Sequence, residues 1–80
     1  MITNQDILHV ISRMDLRLDV PSLRPDNSLA SQGVDSLDMA TLLLELEGQF
    51  GRVIPPEEIS QLRTIEQIVR YLNQEPAAAL

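Results

Sequence analysis

The sequence predicts an all-α domain: a four-helix bundle of three main helices and one short helix, with a long first loop. Three observations predict it. Apolar residues recur every three or four positions in separate segments, the period of a helix rather than a strand. Proline, glycine and capping residues fall at the edges of those segments. No segment alternates apolar and polar residues in the manner of a half-buried strand.

The first helix is expected from about Asn4 to Leu16 or Leu18. Thr3 is its N-cap candidate, and Asp6 stands at the third helical position, where an acid suits the dipole. Ile7, Ile11, Met14 and Leu18 form an apolar stripe. His9 lies off that stripe and reads as a surface residue, since no partner accompanies it. Pro21 is expected to stop the helix, because it lacks an amide hydrogen and restricts the residue before it. Residues 19–35 then form a connection long for so small a domain, and such loops are usually functional or disordered. Leu23 and Leu29 are its expected anchors in the core.

The second helix is expected from Ser36 to about Phe50, with Asp35 as N-cap and Asp38 in the first turn. Leu42, Leu43, Leu46 and Phe50 give it an inward face, supported by Met39. Gly51 suits the C-terminal cap. Gly48 lies inside the helical pattern at a cost of about 1 kcal/mol relative to alanine, which implies close packing or an early helix end.

Pro55 and Pro56 open a short third helix, expected from Pro56 to Gln61, with acids directly after the prolines. A fourth begins at Thr64, which has capping-box spacing to Gln67. Ile65, Ile68, Val69 and Leu72 form its apolar face, and Pro76 ends the pattern. Residues 1–75 are therefore read as one domain and residues 76–80 as a flexible tail.

Composition narrows the function. At 80 residues, one core is expected and a separate catalytic domain has no room. There is no cysteine and only one histidine, so neither a thiolate nor a spaced catalytic triad is available and no metal site is expected. Any thiol chemistry must come from an attached group. No run is long and apolar enough for a membrane span, and MITNQDIL lacks the basic start and apolar stretch of a signal peptide. A cytoplasmic, monomeric protein is expected, with its apolar stripes paired inside one bundle. The net charge is −6 and all six basic residues are arginines, which argues against nucleic acid as a partner. Between Asp26 and Glu58, seven acids face Arg52 alone, so this stretch holds the whole net charge. A solvated face would explain that, but a docking surface for a basic partner would as well.

The informative stretch is Gly33-Val34-Asp35-Ser36-Leu37-Asp38-Met39. A side chain at Ser36 would project from a rigid support, at a helix start whose free amides and positive dipole end favour a phosphate. A serine there can also be nothing more than a cap.

The wider context resembles the acyl carrier protein family. The resemblance runs from the first helix through Leu72. It includes Gly33-Val34-Asp35-Ser36-Leu37-Asp38, then Leu42, Leu46, Glu47 and Phe50, then Ile54-Pro55 with Glu57 and Glu58, and finally Thr64-Ile65. It implies an acyl-carrier-like bundle in which Ser36 bears 4′-phosphopantetheine, installed from coenzyme A by a phosphopantetheinyl transferase. Asp35, Leu37 and Asp38 complete the attachment motif. The implied role is a carrier, not an enzyme. It would hold acyl or aminoacyl intermediates as thioesters and present them to activating, synthase or transferase enzymes with basic patches. The resemblance places Asp35, Asp38, Glu45 and Glu47 on the partner-binding surface, and neither glutamate has a local basic residue to offset it. Leu42, Leu46, Phe50, Ile54, Ile59, Ile65 and Ile68 are the expected lining for an apolar cargo. Thr41 and Gly48 stand where fatty-acid-synthesis carriers usually have acids, and Gln32 replaces a frequent leucine. A specialised acyl or aminoacyl cargo is therefore the leading expectation. The alternative is an unmodified acidic interaction module on the same fold.

Overall fold

Thr3 starts the first helix, α1 (Asn4–Ser12), with a reciprocal capping box. Its hydroxyl accepts the Asp6 amide at 3.3 Å, and the Asp6 carboxylate accepts the Thr3 amide at 2.9 Å. The computed structural model, which describes residues 1–74, ends α1 earlier than the apolar stripe predicts. Three-residue turns close it: the Arg13 amide donates to the Val10 carbonyl and the Met14 amide to the Ile11 carbonyl. The Ser12 hydroxyl donates to the His9 carbonyl at 2.6 Å, competing for a helix acceptor. Asp15 then takes a left-handed conformation at φ 58°, which aspartate tolerates better than most residues, and the chain turns away. Leu16 and Leu18 are thus loop residues packed on the core, not helical ones. Pro21 has no helix to stop and sits inside a 3₁₀ turn, Val20–Ser22.

The long first loop is ordered around buried Leu23, Leu29 and Val34. Gln32 pins it from within. Its Oε1 accepts the Arg24 amide at 2.6 Å, while its Nε2 donates to the carbonyls of Arg24, Asn27 and Ser28 at 3.0–3.3 Å. Two backbone bonds tie the loop to the far side of the bundle: Leu29 amide to Arg63 carbonyl, 2.9 Å, and Glu66 amide to Pro25 carbonyl, 3.1 Å.

The second helix, α2 (Ser36–Phe50), has the expected bounds because both ends carry local signals. Asp35 caps the start, and Gly51 closes the end in a left-handed conformation at φ 65°. Gly48 supports neither explanation offered above: the helix continues past it, and a β-carbon there would meet nothing within 4 Å. The third helix, α3 (Pro56–Ile59), is shorter than expected. Beyond Ile59, three-residue turns from Gln61 to Glu58 and from Leu62 to Ile59 replace the α pattern.

Thr64 and Gln67 form the expected capping box at the start of α4 (Ile65–Asn73). The helix end is satisfied by a residue 20 positions away. Arg52 donates to the Leu72 carbonyl at 2.7 Å and the Gln74 carbonyl at 3.0 Å, with its guanidinium 5.6 Å from the Tyr71 ring centre. The Asn73 amide group brackets Ile2, accepting from its N–H and donating to its carbonyl, each at 2.9 Å. Ile7, Ile11, Leu29, Leu42, Leu46, Ile65 and Ile68 meet in one core, and no buried residue among those described is polar or charged. No described helix is long and apolar enough to cross a membrane. Pro76 and the tail expected at 76–80 lie outside the described residues.

Candidate functional site

The backbone around Ser36 is set by three neighbours. Gly33 turns the chain at φ 105°, and a β-carbon there would come within 3.0 Å of Leu18. Only glycine accepts both constraints readily. Val34 is buried, and its amide donates to the Leu29 carbonyl at 3.0 Å. Asp35 is extended, and its Oδ1 accepts the Asp38 amide at 2.8 Å. Asp35 therefore performs the capping that would otherwise account for the serine. Ser36 is the first residue of α2 and is exposed, as is Leu37 beside it.

An open cavity of about 510 Å³ starts at Ser36. Met39 and Ala40 line it from α2, Ala30 from the loop, and Ile59, Leu62 and Arg63 from the α3 side. Of the seven residues expected to line a cargo site, Ile59 alone lies on this cavity. Leu42, Leu46, Ile54, Ile65 and Ile68 are core residues, and Phe50 packs partly buried against them.

The four acids expected on the docking surface separate. Asp35 is spent partly on the cap, while Asp38 and Glu45 lie seven residues apart on one side of α2. Glu45 and Arg13, at the end of α1, line one hollow without forming an ion pair. Glu47, which has no local basic residue to offset it, has a structural partner instead. Its Oε2 accepts the Ile54 amide at 2.6 Å and fastens the chain beyond α2.

Two features escaped the sequence reading. Leu37 and Leu44 are 74% and 67% exposed, so the leucine run of α2 is not wholly inward. At seven residues apart they share a face with Thr41 and Gly48, which lie four and eleven residues after Leu37. A helical wheel applied to the run would have found this stripe. The Gln32 latch had no sequence signal beyond an unexpected polar residue.

A family model described as a phosphopantetheine attachment site matches residues 7–72. The chain belongs to that family. Its members attach 4′-phosphopantetheine covalently, and this chain is a phosphopantetheine-dependent carrier on an all-helical fold. The residues fit such a group: an exposed hydroxyl, not used as the cap, opens onto a groove at a helix start.

Proposed function

We propose that this carrier bears its arm on Ser36 and transports acyl or aminoacyl groups between enzymes without catalysing their reactions. The observation that carries the assignment is the division of labour at α2, where Asp35 caps and Ser36 remains available. When bound, the group supplies a thiol for thioester formation, which the cysteine-free chain lacks. Ser36 provides the oxygen of the phosphodiester link. The first amides of α2 and its positive dipole end favour the phosphate there. Leu37 and Asp38, beside Ser36, complete the surface offered to the transferase.

Cargo on this reading rests first in the groove past Met39, Ile59 and Leu62. Leu42, Leu46, Ile54, Ile65 and Ile68 close the core, so a long apolar chain reaching them would have to open it. Partner enzymes meet α2 through Asp38 and Glu45 with Leu37 and Leu44, while Glu47 serves the fold.

Intact-mass measurement after incubation with coenzyme A and a phosphopantetheinyl transferase tests the assignment. One phosphopantetheine should add to the native chain and none to Ser36→Ala. A native chain that gains no mass would instead support the unmodified interaction module, whose contact face would be the same exposed leucines.

A further inference from the structure

The first loop supplies one wall of the groove at Ser36, through Ser28, Ala30 and Val34. Gln32 is not on that wall, yet it ties the wall together from behind. Among the described residues, no backbone hydrogen bond joins residues 24–28 to residues 30–36. Side chains make the connection instead. The Ser31 hydroxyl donates to the Ser28 carbonyl at 2.8 Å, and Gln32 alone reaches back to Arg24 and Asn27.

The partners fix the orientation of the Gln32 amide. The Arg24 N–H can only donate, so it meets Oε1 at 2.6 Å. The carbonyls of Arg24, Asn27 and Ser28 can only accept, so they gather around Nε2. A carboxylate here would lose the donor, and a leucine would lose donor and acceptor alike.

The latch also leads directly to the attachment point. The Gln32 and Val34 amides both donate to the Leu29 carbonyl at 3.0 Å. The Leu29 amide in turn donates at 2.9 Å to the carbonyl of Arg63, which lies on the α3 side of the groove. Between Gln32 and Val34, Gly33 turns at φ 105° against Leu18, so little slack separates the latch from the Asp35 cap.

We infer that Gln32 is a positioning residue for attachment, holding the loop wall beside Ser36 in the shape that the transferase engages. The inference rests on the carrier reading at Ser36. In that transfer the Ser36 oxygen bonds to the phosphorus next to the pantetheine arm of coenzyme A. The pyrophosphate bond to the adenosine 3′,5′-bisphosphate leaving group breaks, and the serine proton passes to a base on the transferase. Gln32 touches none of these atoms and acts through the loop.

The test measures initial rates of phosphopantetheine transfer from coenzyme A by a phosphopantetheinyl transferase, read by intact mass over a range of carrier concentrations. Native chain, Gln32→Leu and Glu47→Ala are compared under conditions where all are folded. Glu47→Ala removes a tie beyond the far end of α2 and so controls for lost stability. Gln32→Leu should raise KM for the carrier roughly three- to tenfold with kcat unchanged, since only chains with the loop in place bind productively. Glu47→Ala should leave both constants unchanged. If Gln32→Leu does not fold, Gln32→Glu, which keeps the acceptor for Arg24 and loses the donor to three carbonyls, carries the same comparison. A native KM in the Gln32 variant, or an equal rise in Glu47→Ala, would overturn the inference while leaving the carrier reading intact. Failure of the native chain to load would overturn both.

Discussion

Glu47 and Ile54 are joined by a 2.6 Å hydrogen bond from the Ile54 amide to the Glu47 carboxylate. The bond spans the C-terminal cap of α2 and fixes the segment that leads into α3. It explains an acid in the last turns of a helix, where the dipole disfavours one. Glu47→Ala should therefore destabilise the fold by about 1–2 kcal/mol, the worth of a half-buried hydrogen bond to a charged acceptor. Glu47→Gln retains an acceptor oxygen and should lose less. Urea titration of both variants measures this. If both lose nothing, the bond is not a structural tie.

Separating cap from attachment gives the second prediction. Ser36→Ala should lose all loading, yet stay within about 0.5 kcal/mol of native stability, as surface substitutions do. Asp35→Ala should lose about 0.5–2 kcal/mol through the cap. Denaturation curves and intact masses of the two variants decide it. Loss of stability in Ser36→Ala comparable to Asp35→Ala would mean that the serine has a structural role.

Gln32 carries the third prediction. One side chain holds the Arg24 amide and three carbonyls, so the loop depends on it more than on any local turn. Gln32→Leu should destabilise by about 1–3 kcal/mol, since it strands several backbone groups at once. Hydrogen exchange at the Arg24 amide should accelerate more than exchange in α4. Unchanged exchange at Arg24 would show that water replaces the latch at no cost.

The sequence revealed the elements whose signals are local. Asp35, Gly51, Thr64 and Gln67 each act within about four residues of their partners, and α2 and α4 start where expected. The α1 end was hidden because the helical spacing of Ile7, Ile11, Met14 and Leu18 outlasts the helix. Three-residue turns close the helix after Ser12 and a left-handed Asp15 turns the chain away, while Met14 and Leu18 still pack on the core from the loop. Glu47, Gln32 and Arg52 were illegible for a related reason: their partners lie between 4 and 22 residues away and are backbone groups, which leave no mark on composition. At the candidate site, the run from Gly33 to Asp38 was visible in the sequence, whereas the groove lined by Met39, Ile59 and Leu62 required the chain to be folded.

The exposed stripe of α2 yields the last prediction. Gly48 has no packing role, since a β-carbon would meet only open space and its backbone is helical. Gly48→Ala should therefore raise the stability of the isolated protein by about 0.5–1 kcal/mol. A residue that costs stability in isolation, one turn from exposed Leu44 and on the same face as exposed Leu37, suits a surface that another protein approaches closely. Leu44→Ala should then weaken productive encounter with the cognate activating enzyme by roughly tenfold in KM, if the leucine is largely buried on docking at about 25 cal/mol per Å². Glu45→Gln should have a smaller effect that fades with added salt, because exposed pairs are weak and screened. The leucine effect should persist at high salt. Measuring loading rates of the three variants at low and high ionic strength separates the contributions. Equal salt sensitivity for Leu44→Ala and Glu45→Gln would reject an apolar contact. A Leu44→Ala rate equal to native would place docking on another face, even if Gly48→Ala stabilises as expected.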